Sequence, residues 1–226
     1  MKIGFDAKRA YQNKSGLGNY SRDVISSLIK ENKVDIQLFT PELKNKIFNP
    51  PKKVKVHVPK IKLLKNYWRL FGIKKIIKKE KIDIFHGLSN EIPIGLNKNV
   101  KSVVTIHDII FKKYPSFYNN FDRFIYSKKT EYACKKANKI ISVSEQTKKD
   151  LINYFNIHPK KIEVIYQSCH KAFKTELKNE NILKKYQIPD DFILYVGTIE
   201  KRKNLKFILK GIQQNPEINL VCIGKK

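Results

Sequence analysis

Short apolar runs alternate with helical patterns along nearly the whole chain, and this alternation restricts the fold more than any other feature. Strands that alternate with helices build βαβ units, which place the strands in a parallel sheet with right-handed crossovers. We therefore predict an α/β fold. The predicted strands are Lys2–Phe5, Asp35–Phe39, Lys53–Val58, Ile82–His86, Ser102–Ile106, Lys139–Val143, Lys161–Ile165, Phe192–Val196 and Asn219–Ile223.

The pattern runs once through a full set of strands and then restarts after a polar segment. The pattern predicts that residues 1–170 form a complete Rossmann-like domain and that residues 171–188 form a linker. Residues 189–226 are predicted to form the opening βαβ unit of a second domain. A single βαβ unit cannot cover both faces of its sheet, so we expect the second domain to be incomplete at residue 226. Helices are predicted over residues 19–30, 63–81, 119–137, 146–155 and 204–213.

Composition narrows the class of protein. Apolar residues make up 41% of the chain, which indicates a globular protein. No run approaches the ~20 apolar residues of a membrane span, and the N-terminus lacks the pattern of a secretory signal, so we expect a cytoplasmic protein. Three cysteines without a CxxC spacing favour reduced thiols over disulfides or zinc. The sequence contains no carboxylate cluster that predicts a metal site.

The formal net charge is +27, and the lysines that contribute most of the positive charge are scattered through nearly every segment of the chain. This pattern is typical of a solvated surface, although such a field also attracts nucleic acid or anionic lipid. The sequence has no helix-turn-helix, zinc-finger or RNP-type signature. Nucleic-acid binding is therefore the least favoured alternative.

Polar motifs follow several predicted strands, where ligands bind in open α/β sheets. Gly16 and Gly18 lie between the first strand and the first helix, where backbone amides favour an anion. His107 and Asp108 follow a buried strand. A histidine there can contact a sugar hydroxyl or a phosphate, or it can cap the strand structurally. Adjacent residues project in different directions, so His107 and Asp108 do not predict a dyad.

Two further motifs open helices. Ser144 and Glu145 follow another strand, and Ser144 is predicted as a helix N-cap, with ligand contact as the alternative. Arg202 and Lys203 precede the last predicted helix. Cations at a helix N-terminus are unfavourable unless an anion binds there, so this turn predicts a diphosphate site. The alternative is a solvated turn.

The segment Leu63–Lys81 reads as a basic amphipathic helix. Trp68, Arg69, Phe71 and Lys75 combine aromatic and basic side chains, as membrane-surface helices do. The alternative is a helix whose apolar side packs on the core while its basic side faces water. If the helix is of the membrane-surface type, we expect these four side chains to contact an anionic membrane surface.

These motifs together resemble the retaining family 4 glycosyltransferases of the GT-B fold. The resemblance is carried by GFDAKRAYQNKSGLGNYSRDVISSL, VTIHDIIFKKYP, ISVSEQTKKDLINYF, VIYQSCHKAF and FILYVGTIEKRKNLKFILKGI, in the family's order and spacing. The last segment is similar to the donor-domain opening of the mannosyltransferase-like members. The match covers essentially the whole chain.

The resemblance implies roles for the residues singled out above. Gly16 and Gly18 would face the donor phosphates and the acceptor, and His107 would lie beside the transferred sugar. Arg202 and Lys203 would hold the diphosphate leaving group, with Lys203 the better positional match. Asp108, Ser144 and Glu145 are candidate contacts for acceptor or sugar. No metal or cofactor is implied, because protein cations offset the phosphate charge.

The family's E-x7-E element falls beyond residue 226, so we expect this chain alone to be nearly inactive. The complete enzyme would transfer a sugar, with mannose from GDP-mannose as the first candidate, to a surface polysaccharide such as lipopolysaccharide or to a lipid-linked glycan, with retention. It would work in the cytoplasm, peripherally on the inner face of the plasma membrane. The alternative is a binding fragment that holds acceptor or membrane without turnover.

Overall fold

The structure is a computed structural model that describes residues 1–44, 47–169, 173 and 180–224 of the 226. It divides into two compact units, Met1–Ser168 and Cys169–Lys226. Each unit is built around a parallel sheet. The predicted α/β class is therefore confirmed.

The first unit contains a seven-stranded parallel sheet in the order β3-β2-β1-β4-β5-β6-β7. The chain passes from β1 outward to β3 and then returns to the other side of β1, where β4 pairs with it. Strand order therefore reverses between β1 and β4. The strands are β1 (Lys2–Asp6), β2 (Asp35–Phe39), β3 (Lys55–His57), β4 (Ile84–Gly87), β5 (Lys101–Ile106), β6 (Lys139–Ser142) and β7 (Ile162–Val164).

Helices cover both faces of this sheet. On one face, α2 contributes Ile25 to a buried cluster with Phe5 and Leu38. On the other face, α4 packs on Phe39 and Phe85, while α6 and α7 pack on β5 and β6. The helices are α1 (Lys8–Gln12), α2 (Gly16–Glu31), α3 (Lys65–Tyr67), α4 (Ile73–Lys79), α5 (Ile110–Lys113), α6 (Asn120–Lys136) and α7 (Glu145–Phe155).

Local chemistry explains where the longer helices begin and end. The side chain of Asn119 accepts a hydrogen bond from the amide of Asp122 and caps α6. Ser144 accepts from the amide of Thr147 at 3.1 Å, so its predicted role as the N-cap of α7 is confirmed. Asn156 ends α7 in the left-handed conformation, which asparagine tolerates well.

The segment predicted as one helix over residues 63–81 is broken into four pieces. A 3-10 turn over Lys62–Leu64 leads into α3, a π-helical turn occupies Trp68–Gly72, and α4 follows. The π-helical turn is wider than an α-helical turn, and within it Arg69 is buried. Short helix α1 was not predicted, because five residues are too few to show a helical period.

The second unit contains a two-stranded parallel sheet. Strand β8 (Ile193–Val196) pairs with β9 (Leu220–Ile223), and α9 (Leu205–Gln213) lies between them in the chain. Part of the predicted linker, residues 171–172 and 174–179, lies outside the described residues. Helix α8 (Glu180–Lys185) begins within the remainder. Among the described residues, no helix combines the length and apolarity that a membrane span needs.

Candidate active site

The carboxyl edge of the seven-stranded sheet gathers most of the site residues predicted in the first unit. Because the strands run parallel, the segments that follow β1, β4, β5 and β6 emerge at this edge. His107 follows β5, and its carbonyl accepts a hydrogen bond from Thr147 Oγ1, in the first turn of α7, at 3.1 Å. The ring of Tyr20, near the start of α2, lies edge-on to the His107 ring with centroids 4.7 Å apart. The starts of α2 and α7 therefore meet at His107.

The two ring nitrogens of His107 have different partners. Nε2 lies 3.0 Å from the Leu88 carbonyl oxygen, which only accepts, so Nε2 carries the proton and donates it. Nδ1 lies 3.0 Å from the side-chain nitrogen of Gln167, which only donates, so Nδ1 is the acceptor. Burial lowers the pKa of His107, although the bond to Leu88 and the charge of Asp108 oppose that shift. The ring is therefore neutral near pH 7.

The sequence left two roles open for His107, a structural cap and a ligand contact, and this tautomer is compatible with both. Through Nε2, His107 ties the end of β5 to the loop after β4, which is a structural role. Through Nδ1, it presents a lone pair whose partner, Gln167, is exposed. A hydroxyl group can take the place of that amide without loss of the Leu88 bond. His107 can therefore act as a fixed hydrogen-bond acceptor for a hydroxyl group.

Asp108 lies in the turn before α5 and does not orient His107. Its Oδ1 accepts from the amide of Ile110 at 3.2 Å, and its carbonyl accepts from the Asn90 side chain at 3.0 Å. Asn90 also accepts from the amide of His107 at 3.2 Å, so it fixes the turn after β5. The described partners of the His107 ring are Leu88 and Gln167, as expected for a His-Asp pair that forms no dyad.

Three buried or half-buried side chains, Tyr20, His86 and Thr105, form a hydrogen-bonded network beside His107. Thr105 Oγ1 lies 3.0 Å from the Tyr20 hydroxyl and 2.9 Å from His86 Nε2. Burial lowers the pKa of His86 to about 4, so this histidine is neutral at pH 7. The network is uncharged, and it fixes the Tyr20 ring against His107. Tyr20 was not predicted as a site residue, although it follows Gly18 by two residues.

The start of α7 is closely packed. Ser144 Oγ caps the helix and also lies 3.0 Å from Thr147 Oγ1, while the Ser144 carbonyl accepts from Ser142 Oγ. The Ser144 hydroxyl is therefore already hydrogen-bonded within the protein. Glu145 is exposed in the first turn. The roles of both residues in acceptor or sugar contact stay predictions.

The two loop glycines differ in their surroundings. A Cβ on Gly18 would lie 1.8 Å from the Asn13 carbonyl oxygen, so packing of the loop requires glycine there. Arg22 supports the same loop, because its Nη1 donates to the carbonyls of Ala10 and Asn13 at 2.9 and 2.8 Å. A Cβ on Gly16 would meet no described atom within 4 Å. Gly16 is the first residue of α2, and the space beside it is free. A ligand can therefore approach the helix amides there.

A cation that was not predicted as a site residue lies near His107. Arg9, in α1, is half-buried, and its charge contributes to the lowered pKa of His107. Among the described residues, Arg9 is paired with no carboxylate. Its charge therefore adds to the attraction of the α2 N-terminus for an anion. The KR dipeptide after β1 offered no signal in so lysine-rich a sequence.

The prediction that Arg69 contacts a membrane is wrong, because its side chain is only 9% exposed. Nε and Nη2 bind Asp6 Oδ2 at 2.8 and 2.6 Å, and Nη1 binds Glu91 Oε2 at 2.6 Å. Burial opposes the charged form, but the two carboxylates outweigh it and raise the pKa of Arg69. Arg69 thus ties the π-helical turn to the end of β1 and to the loop after β4.

The other residues predicted to contact membrane lie on the same helical segment. Trp68 is half-buried and packs against the cluster of Phe39 and Phe85, while Phe71 and Lys75 are exposed. Phe71 and Lys75 are therefore available to a surface. Trp68 is held mainly by the core.

In the second unit, Arg202 and Lys203 lie in the turn Lys201–Lys203 between β8 and α9. Arg202 forms an ion pair with Glu200, which offsets its charge. Lys203 is exposed and has no ion pair among the described residues. Lys203 is therefore the freer cation, and its role in binding a diphosphate stays a prediction.

Metal ligation has no candidate in the part of the chain that the structure describes. That part contains no group of three or more His, Cys, Asp or Glu side chains that could hold a metal ion. Asp6 and Glu91 are both engaged by Arg69. The expectation that catalysis needs no metal stays a prediction.

Comparison with known proteins gives a family for most of this unit. Residues 14–168, more than half of the chain, match the sequence model of Glycosyltransferase Family 4. The chain is 25% identical over 235 aligned positions to the O-antigen chain mannosyltransferase B of Escherichia coli. That alignment covers 96% of this chain but only 61% of the relative.

Two further proteins are similar over different extents. One is the N-acetylgalactosamine-N,N'-diacetylbacillosaminyl-diphospho-undecaprenol 4-alpha-N-acetylgalactosaminyltransferase of Campylobacter jejuni, 29% identical over 47% of this chain and 28% of that protein. The other is the structure of Anabaena HepE with UDP and glucose, which has a TM-score of 0.58 at 12% identity. This match covers 100% of this chain and 70% of HepE. At that identity the likeness shows the fold, which is of the GT-B type.

Proposed function

Because the chain belongs to Glycosyltransferase Family 4, we propose that it acts in sugar transfer from a nucleotide-sugar to a polysaccharide or lipid-linked glycan, with retention of configuration. Mannose is the first candidate for the sugar. The observation that carries the proposal is His107, a neutral histidine fixed through Nε2 at the carboxyl edge, with Nδ1 directed to a replaceable partner. This arrangement suits a contact with a hydroxyl of the transferred sugar.

The relatives support the choice of substrates. One is an O-antigen chain mannosyltransferase, which supports mannose and a polysaccharide acceptor. The other acts on a diphospho-undecaprenol-linked glycan, which supports a lipid-linked acceptor. HepE binds UDP and glucose, which supports a nucleotide-sugar donor. GDP-mannose and UDP-sugars are therefore the donors to test first.

Within the first unit, we assign two groups to binding. The start of α2 at Gly16 offers backbone amides, and Arg9 adds a charge that the described carboxylates leave unpaired. Both favour the anionic part of a donor or acceptor, since fixed dipoles and cations stabilise charge without reorganisation. His107 Nδ1 accepts a hydrogen bond from a hydroxyl group of the sugar.

In the second unit, we assign Lys203 to the diphosphate that leaves the sugar. An exposed ammonium at the carboxyl end of β8 stabilises the negative charge that develops as the sugar–phosphate bond breaks. Arg202 has a lesser part because Glu200 already offsets its charge. We further predict that these 226 residues alone transfer little sugar.

The test is nucleotide binding by the chain, measured by calorimetry with GDP, UDP and ADP. Lys203→Ala should weaken binding of the preferred diphosphate about tenfold, as expected for a lost charge-assisted hydrogen bond. Lys206→Ala removes an equal charge from an exposed position three residues later, in the first turn of α9, and should leave the affinity unchanged.

A parallel assay measures transfer of labelled sugar from each donor to lipid-linked glycan. Nucleotide binding that both variants retain would contradict the role of Lys203. Absence of any nucleotide binding, together with salt-sensitive binding to RNA or lipid, would favour a binding fragment over a transferase. Rapid transfer by the chain would contradict the predicted low activity.

A further inference from the structure

The seven-stranded sheet ends at β3, and among the described residues no strand pairs with the outer side of β3. Strand β3 runs parallel to β2, and the His57 carbonyl accepts a hydrogen bond from the amide of Thr40, which follows β2. Backbone groups of successive residues point to opposite sides of a strand, so the N–H and C=O of Val56 point away from β2. Strand β3 is therefore an edge strand whose outward backbone groups can pair with another chain.

An open groove of about 730 Å³ lies beside this edge. Its lining comes from β3 and the residues that follow it, and from α3 and α4. Four exposed apolar side chains border it: Val58, Ile61, Leu64 and Tyr67, with exposed fractions of 39%, 60%, 49% and 61%. Apolar side chains gathered on a concave surface indicate a contact site. We call it the edge groove.

The polar side chains of β3 already have partners. His57 Nε2 lies 2.8 Å from Gln37 Oε1, and Lys55 Nζ lies 2.6 Å from Glu80 Oε1. The His57 ring stacks on Phe39 with centroids 4.7 Å apart, and burial lowers the pKa of His57, so the ring is neutral near pH 7. Within the described part of the chain, Glu80 is the only carboxylate that lines the edge groove. The edge groove therefore offers no unpaired negative charge.

Three cations border the same groove without a partner. Lys60, Lys75 and Lys79 are exposed, and none of them forms an ion pair within the part of the chain that the structure describes. Because Lys55 already neutralises Glu80, these three charges are uncompensated. The edge groove therefore complements a ligand that carries both apolar and acidic groups.

We propose that the edge groove binds an extended acidic segment of a partner protein by strand addition to β3. The backbone of the segment pairs with Val56 and extends the sheet by one strand. Because side chains alternate between the two faces of a sheet, the segment's residues on the same face as Lys55 and His57 enter the edge groove. Apolar residues there cover Leu64 and Tyr67, and acidic residues reach the unpaired lysines.

Two other occupants fit these observations less well. Lipid hydrocarbon offers no hydrogen-bonding partner for the backbone of an edge strand, whereas a peptide offers both donors and acceptors. A second copy of this chain would bring its own lysines close to Lys60, Lys75 and Lys79, and like charges across an interface are unfavourable. An acidic peptide satisfies the backbone groups, the apolar side chains and the lysines together.

The edge groove is distant from the candidate active site. Four strand spacings separate β3 from β5, which amounts to about 19 Å. His107 follows β5, so a segment bound at β3 leaves that site open. The proposal therefore does not depend on the proposed function.

The experiment begins with a phage-displayed library of random peptides of about ten residues, selected on the immobilised chain. We expect the selected peptides to be rich in aspartate and glutamate, with β-branched or aromatic residues at alternate positions. One selected peptide, labelled with fluorescein, is then titrated with the chain and its variants by fluorescence anisotropy. Failure to select any peptide, or selection of peptides without an excess of acidic residues, would overturn the proposal.

Val56→Pro removes the outward N–H but keeps the hydrogen bonds to β2, because an edge strand accepts proline where the N–H faces outward. The affinity for the peptide should fall at least about tenfold. Leu64→Ser/Tyr67→Ser should lower it by a similar factor through lost apolar burial. Thermal unfolding checks that each variant folds. Wild-type affinity in a folded Val56→Pro chain would contradict strand addition.

Lys60→Glu/Lys75→Glu tests the charge of the edge groove and should lower the affinity for the peptide at least about tenfold. Lys98→Glu/Lys160→Glu makes the same charge change at two exposed lysines outside the edge groove and should have a much smaller effect. Equal losses in the two charge-reversal variants would overturn the proposal, because they would show attraction without a defined site.

Two further measurements test the other occupants. If gel filtration shows a dimer that Val56→Pro dissociates, a second copy occupies the edge groove and the proposal is wrong. If vesicles with about a third phosphatidylglycerol displace the peptide, the edge groove binds lipid and the proposal is also wrong. Nucleotide binding should be unchanged in all these variants, so failure of peptide binding is distinguishable from failure of the transferase assignment.

Discussion

His107 uses its two ring nitrogens for different purposes. Nε2 donates to the backbone carbonyl of Leu88, and Nδ1 faces the exposed amide of Gln167, which a ligand can replace. The sequence placed His107 at the end of a buried strand, since a run of β-branched residues precedes it. The choice of tautomer was not predictable, because it depends on Leu88 and on Gln167, 19 and 60 residues away in the chain.

The loop glycines show a similar limit. The sequence suggested one role for Gly16 and Gly18, because both lie between a strand and a helix. Their surroundings differ, however, since only Gly18 contacts the Asn13 carbonyl. That contact depends on the conformation of α1, which the sequence did not predict. One glycine is therefore required by packing, and the other leaves space at the site.

The substitution pair Gly16→Ala and Gly18→Ala tests this distinction. Gly18→Ala should destabilise the fold by about 1–3 kcal/mol, because its Cβ would overlap a backbone oxygen. Gly16→Ala should leave the stability unchanged or slightly higher, yet weaken nucleotide binding if a ligand occupies the space beside it. Urea unfolding and calorimetry measure the two effects. Wild-type nucleotide affinity in Gly16→Ala would contradict the assignment of that space to a ligand.

Among the secondary-structure elements, the segment after β3 departs most from prediction. The other strands and the long helices α2, α6, α7 and α9 lie within a few residues of their predicted positions. Arg69 lies in a π-helical turn, and its partners Asp6 and Glu91 are distant in sequence. A basic helix pattern looks the same whether its arginine faces water or a buried carboxylate, so burial of Arg69 could not be predicted.

Arg69→Met should destabilise the first unit by about 3–5 kcal/mol, because it leaves the carboxylates of Asp6 and Glu91 without their shared cation. Lys65→Met, on the same segment, breaks an ion pair with Glu42 whose side chains are 47% and 46% exposed. That change should cost less than about 1 kcal/mol. Urea unfolding measures both, and similar losses in the two variants would show that Arg69 has no special structural role.

The chain taken as a whole contains a seven-stranded unit and a smaller two-stranded unit, and each presents cations at the carboxyl ends of its strands. The alternation of strands and helices was enough to predict the α/β class. The motifs in register were enough to indicate the family, which the match over residues 14–168 establishes. The identity of the sugar and acceptor depends on contacts that neither the pattern nor the fold determines.

The decisive measurement is the affinity of the chain for a nucleotide-sugar compared with that for the matching nucleoside diphosphate, in wild type and in His107→Ala. If Nδ1 binds a sugar hydroxyl, His107→Ala should lower the affinity for the nucleotide-sugar about tenfold and leave that for the diphosphate unchanged. His158→Ala, at an exposed histidine that caps a 3-10 turn, should change neither affinity. Equal effects of His107→Ala on both ligands, or no effect on either, would contradict the assignment of His107 to the transferred sugar.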